Sequence, residues 1–266
     1  MNRFGRVPAP VWIVTGLVLL FLALPMFVVI PISFSANIYL KFPPDNLSLR
    51  WYAAYFGAHN WLQATIFSLE VAAAVTVLAT VLGTTAAFAL VRARFPGKQL
   101  VYVLLLSPLI VPTIITAIAV YFLFARLHLI DSWAGLVLAH TILAIPFVTV
   151  ILTTSLSGFD IALERAALGL GARPWYALRR VTLPIVAPAI ATAALLAFLT
   201  SFDEVVIAIF IAGTRATTLP KKMWEGIWLE ITPEIAAAST IVVAFTVVLF
   251  VAIELLQRRN ERLIGR

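Results

Sequence analysis

Residues able to do chemistry are few in this chain, and most of them stand alone. The histidines are His59, His128 and His140; no two have the spacing of ligands on one helix face, and no HExxH occurs, so a zinc hydrolase has no ligand set. No GxxxxGK[ST] loop is present to cradle a phosphate, and no GxSxG turn to expose a nucleophile. Cysteine is absent, which removes thiolate catalysis, disulfides, iron–sulfur clusters and Cys-based zinc. No metal or cofactor is therefore expected in this chain. His140 reads as a hydrogen-bonded core residue and Glu70 as a solvated carboxylate. Two places remain: the acidic pair Asp203-Glu204, and the segment Gly158 to Trp175.

The second place has local order written into it. Asp160 is a good N-cap for a short amphipathic helix running through Glu164, Arg165, Ala166 and Ala167. Gly171 is placed to end that helix as its left-handed C′ residue. Pro174 fits the first turn of a second helix that carries Trp175 to Val181. The spacing predicts two short helices joined by a tight bend.

The elements that must hold these residues are apolar. Of 266 residues, 62% are hydrophobic and only 12% are charged, about half the charged share of a soluble domain; the mean hydropathy is +1.04. A water-soluble domain, a disordered chain, a collagen-like fibre and a disulfide scaffold are all excluded by these figures. A membrane span takes about 20 apolar residues. Charge-poor windows place six of them, at about 11–32, 62–91, 100–124, 132–156, 181–202 extending towards 212, and 235–256. The chain thus reads as one all-α membrane domain over 1–266, with no room for a nucleotide-hydrolysing domain. The first apolar stretch exceeds the roughly 7–15 residues of a signal peptide core, so a retained helix is expected. Gly83 and Ala87, four apart, offer a close-packing face. Pro108, Pro112 and Pro146 are read as prolines tolerated inside packed spans. Trp51, Trp61 and Trp133 are read as an interfacial aromatic belt.

The charge of +7 would suggest nucleic acid in a soluble protein; in a membrane chain it suggests basic inner loops. With the N-terminus inside, the inner segments hold thirteen of the 19 Lys and Arg residues. Arg3, Arg6, Arg92, Arg94 and Lys98 are among them, as are the segment 165–180 and the C-terminal arginines. Both termini are therefore expected to be cytoplasmic, and no nucleic-acid partner is expected.

The acidic pair falls inside an apolar run. Residues 181–212 would make a straight helix of about 48 Å, against about 30 Å for the hydrocarbon core. Either the fifth span begins below the membrane, or the stretch after Glu204 bends back. Acidic groups so placed face an interior or a water-filled path, or else close a helix end in solvent. Counted with Glu225, Glu230 and Glu234 against Arg215, Lys221 and Lys222, the outer region has an acidic excess that would concentrate cations.

The segment 165–184 resembles a known family. Arg165-Ala166-Ala167, Gly171 after three intervening residues, then Val181 and Leu183-Pro184 are similar to the cytoplasmic E-A-A signature of inner-membrane permeases of binding-protein-dependent ABC importers. Arg165 stands where the signature has Glu, and Glu164 precedes it. The resemblance implies that this loop, between spans four and five, is a coupling helix that docks into a separate ATPase subunit, with Glu164, Arg165, Ala166, Ala167, Gly171, Leu183 and Pro184 as the coupling residues. The stretch Ser201 to Ala208, with Gly213, Leu219-Pro220 and Lys222-Met223-Trp224, resembles the permeases for polyamines (spermidine and putrescine), opines and aminophosphonates. That implies a small cation as substrate, and the placement of Asp203 and Glu204 makes them the expected substrate pathway. The implied partners are two copies of the ATPase, a second and different permease, an extracytoplasmic binding protein and the inner-membrane lipid. A self-contained secondary transporter would need ion sites near the midplane and two related halves; a membrane enzyme would need a catalytic cluster. The sequence has none of these.

Overall fold

The computed structural model describes residues 8–229 and 232–264; Arg3, Arg6, Glu230 and Arg266, used in the charge readings, lie outside them. Among the described residues the regular elements are all helices, joined by loops, with one isolated bridge, Ser35 to Leu47. Five helices are each long and apolar enough to cross a membrane, and a sixth span is possible if one sharply bent helix pair is counted as one.

The chain divides into two compact units, Met1–Leu62 with Met223–Arg266, and Gln63–Lys222. In the first, α1 (Ala9–Ser33) and α12 (Pro233–Ile264) pack together, and α2 (Arg50–Gly57) packs on α12. The loop after α1 is tied down by Ser33 Oγ against Tyr52 Oη at 2.7 Å and by Trp51 Nε1 donating to Asn37 O at 3.2 Å. Trp51 and Trp61 are buried while Trp133 is exposed, so the first two are packing residues rather than an aromatic belt. Their indoles have enough apolar area to fill the space under the loop, and Trp61 lies against Tyr55.

The second unit holds most of the core. It takes α3 (His59–Arg92) from Gln63 on, then α4 (Lys98–Ile110), α5 (Thr113–Arg126), α6 (Trp133–Ser157), α7 (Ile161–Gly169), α8 (Pro174–Ala177), a π turn (Leu178–Thr182), α9 (Leu183–Phe202) and α10 (Val206–Ile211). The unit boundary falls inside α11 (Leu219–Leu229). The α6–α9 pair is the spine, and its buried face includes Leu136, Val148, Leu152, Val186 and Ala193. Gly83 lets α3 approach α6 closely: a Cβ built there would lie 2.6 Å from Val148 Cγ1. His140 is fully buried, with Nδ1 at 3.0 Å from Ser201 Oγ across the spine.

The third span differs from the sequence expectation. It is two helices bent by 106° at Val111–Pro112. Pro112 has no N–H to offer the carbonyl of Pro108, and its ring drives Val111 out of the helical region, to φ −75°, ψ 130°. Pro146 sits inside an unbroken α6. There it removes one ladder bond and leaves the helix continuous.

The expected helix of Trp175 to Val181 is not separate either. α8, the π turn and α9 follow one another without a break from Pro174 to Phe202. Pro184 has no N–H for the carbonyl of Arg180, and the turn before it widens. Beyond Phe202 the run does break. α10 is a separate helix packed on α5 and α6, with Ile207, Ala208 and Ile211 fully buried. It does not lengthen α9.

Candidate functional site

The hairpin between α6 and α9 is built as its residues dictate. Asp160 accepts from the Ala162 N–H at 2.9 Å and starts α7. Gly171 has φ +89°. Its N–H reaches Leu168 O at 3.0 Å, and the Ala172 N–H reaches Ala167 O at 3.1 Å, the two bonds of a Schellman ending. Ala167, Leu170, Gly171, Ala172, Arg173 and Tyr176 line an open cleft of about 530 Å³ at the tip. Leu170 is 90% exposed and Trp175 67% exposed. Large apolar side chains thus stand out from a rigid turn.

The motif residues separate by role. Arg165, Ala166 and Gly171 lie on the exposed hairpin. Leu183 packs against the core at the start of α9, and Pro184 is exposed beside it; neither lines the cleft. Glu164 turns inward. Its Oε2 accepts from Arg92 Nη1 at 2.5 Å and from Thr182 Oγ1 at 2.7 Å. Burial pushes the Glu164 carboxyl up, but the bonds from Arg92 and Thr182 and the Arg92 charge outweigh it, so the group is held below the ordinary carboxylate range. Arg165, where the motif has Glu, is exposed, because neighbours on a helix point about 100° apart.

Asp203 and Glu204 occupy the break between α9 and α10. Asp203 is exposed. Glu204 is half-buried, and its Oε1 accepts from the Ile207 N–H at 2.8 Å, closing the first turn of α10. One oxygen of the pair is thus already engaged in the fold.

Two functional-looking residues here had no sequence signal. Asp131, at φ +54°, sits between α5 and α6. Its Oδ1 accepts from the N–H groups of Arg215 (3.1 Å) and Ala216 (2.9 Å), and its Oδ2 from Arg215 Nε at 3.4 Å. A Cβ at Gly213 would collide with that carboxylate. The partners are more than eighty positions apart, beyond any local pattern. Lys221, counted above in the charge of the outer region, is only 8% exposed and donates to Ala212 O at 2.6 Å. It answers the carbonyls at the C-terminal end of α10, where a cation is favoured. Among the described residues no His, Asp or Glu cluster is arranged to hold a metal.

An all-α chain with several membrane-length apolar helices and an exposed helical hairpin between two of them is the architecture of a multi-pass membrane protein. The chain belongs to the family described as "Binding-protein-dependent transport system inner membrane component", whose model matches residues 79–266. It is 33% identical over 241 residues to the spermidine/putrescine transport system permease protein PotC of Haemophilus influenzae, covering 91% of this chain and 93% of that one. It is 34% identical over 272 residues to the putrescine transport system permease protein PotI of Escherichia coli K12, covering 98% and 96%. Its fold matches a chain in the crystal structure of a bacterial alginate ABC transporter bound to a pentasaccharide-loaded periplasmic protein, with TM-score 0.72, 16% identity, and 97% and 94% covered. The protein is a multi-pass inner-membrane permease subunit of an ABC importer, and ATP hydrolysis belongs to a separate subunit of such importers.

Proposed function

We propose that this permease carries polyamines or a related small cation, and that Asp203 lines its path. The substrate names of PotC and PotI support the class of cargo. One observation carries the residue: Asp203 stands exposed at the break between α9 and α10, while Glu204 is engaged by the Ile207 N–H. A dehydrated ammonium in a membrane path needs a fixed carboxylate, because isolated charge there costs several kcal/mol. The hairpin from Ile161 to Ala177 is the seat for the ATPase, with Arg165, Ala166, Ala167 and Gly171 at or near the contact, and Leu183 and Pro184 as the root of the lever into α9. The working complex holds two ATPase copies, a second and different permease chain and an extracytoplasmic binding protein. The chain acts as one transmembrane domain, with both termini and the hairpin on the cytoplasmic side.

Uptake of labelled putrescine and spermidine, in membranes holding the full complex at matched protein levels, tests the cargo. Asp203→Asn should slow uptake about tenfold or more, the equivalent of losing one charge-assisted contact, with assembly unchanged. Glu204→Gln should lower thermal stability as well. A binding protein that takes only neutral or anionic solutes would end the cation reading.

A further inference from the structure

Three elements meet on one atom below the hairpin. Glu164 Oε2, on α7, accepts from Arg92 Nη1 at the end of α3 and from the Thr182 hydroxyl in the π turn. The Arg92 guanidinium also lies over Phe88, 5.6 Å from its centroid, and over Phe159 in the α6–α7 link, at 5.4 Å. Its side chain is 24% exposed and that of Glu164 17%. Thr182 is fully buried, and Arg92 Nη2 is buried without a partner of its own. A surface ion pair contributes little. This one is partly desolvated, flanked by aromatic faces and joined by a hydroxyl from a third element, and its two residues lie 72 positions apart.

We propose that Arg92 is a positioning residue that makes α3 a second lever of the coupling hairpin. The connection from α7 through Gly171 and the π turn leads only to α9, and the covalent link behind Asp160 leads only to α6. The Arg92–Glu164 pair gives α7 a rigid hold on α3, so a push on the hairpin is delivered to α3 together with α9. The π turn, where one helix can slip against its own ladder, sits where the two paths divide. Glu164 in this assignment faces inward to Arg92 and leaves the ATPase contact to its neighbours. The proposal rests on the reading that the hairpin docks the ATPase.

The test uses the complete complex in lipid nanodiscs, with spin labels on cysteines introduced at Val77 of α3 and Leu104 of α4, a helix the pair does not touch, both exposed, in this cysteine-free chain. Distances are compared without nucleotide and with Mg-ATP trapped by vanadate. The unmodified chain should show a nucleotide-dependent shift. Arg92→Met and Glu164→Gln should each reduce the shifted population roughly tenfold, as expected for loss of one charged hydrogen bond. The double variant should reduce it no further, since partners in one contact are not additive. Arg92→Lys, which keeps the charge and is the milder change for folding, should fall between. A pair that merely staples the fold would lower protein yield and leave the shift intact in the molecules that fold. An unshifted wild type, an unchanged shift in both single variants, or additive losses would each overturn the proposal. So would loss of the co-purifying ATPase in Glu164→Gln but not in Arg92→Met, which would place Glu164 at the ATPase. If the unmodified chain retains no ATPase at purification, the docking reading itself fails, and that is seen before any label is read.

Discussion

Two glycines show how differently one residue type can be required. Gly171 has φ +89° and open space around its Cα, whereas Gly213 has no unusual φ and faces the Asp131 carboxylate. At Gly171 the cost of a side chain is therefore purely conformational. Asn should be tolerated best, Ala should cost about 1 kcal/mol, and Val and Pro more; Pro, fixed near φ −65°, should re-aim the hairpin and abolish ATPase retention. Co-purified ATPase measured across that series checks the ranking, and full retention by Gly171→Pro would remove the hairpin from the docking surface. At Gly213 the cost is one of space and falls on Asp131. Burial pushes that carboxyl up, yet the bonds from Ala216 and Arg215 outweigh it, and it is held below its ordinary 3.8. A carboxyl depressed in the folded state contributes fully above the unfolded value and loses that contribution as pH falls through the folded one. Anchoring of the 213–216 loop should thus be constant from about pH 5 to 8 and fail only below about pH 4. Asp131→Asn should loosen it at every pH above about 4. Hydrogen exchange at the Arg215 and Ala216 amides reads both; exchange that quickens between pH 7 and 5 would contradict the assignment.

The helices themselves were largely legible, because apolar length and missing charge are one-dimensional signals. The cap at Asp160, the bend at Gly171 and the close approach at Gly83 were also legible, each being set by one residue's own chemistry. What was not legible depends on two residues acting together. Pro112 reads as a tolerated proline, yet with Val111 held extended before it the third span breaks there. Asp203 and Glu204 read as one acidic pair, yet Glu204 closes α10 and Asp203 does not. Asp131, Lys221 and Arg92 find partners only through tertiary packing. The proline break carries its own test. Pro112→Ala restores an N–H and frees Val111 to return to the helical region. Lipid gives little hydrophobic penalty for exposing Ala117, Val120 and Phe124 of α5, while an unpaired carbonyl in hydrocarbon costs several kcal/mol. The regained bond should win and the 106° bend should shrink. Spin labels at Leu104 and Ile118, both exposed, would move apart; an unchanged distance would show that α10 holds α5 in place.

At the scale of the whole molecule the question is which side of the membrane each end occupies. Thirteen of the 19 basic residues fall in the segments assigned inside, and in short loops Lys and Arg set orientation. The structure adds mechanical sense to that map: Arg92, Glu164 and Thr182 join the end of α3 to the hairpin, so these three must share one side. On the proposed reading, with the hairpin as the seat of the ATPase, that side is the cytoplasm. Cysteines placed singly at Leu170 and Leu47, both strongly exposed, report the two faces with no background thiol from this chain. In intact cells an impermeant maleimide should label position 47 and spare position 170. In inverted membrane vesicles the pattern should reverse, and added ATPase should protect position 170 but not position 47. Labelling of position 170 from outside intact cells would overturn the orientation and, with it, the seat of the ATPase, since no rearrangement of a span could carry Arg92 and Glu164 to the far side while leaving their bond in place.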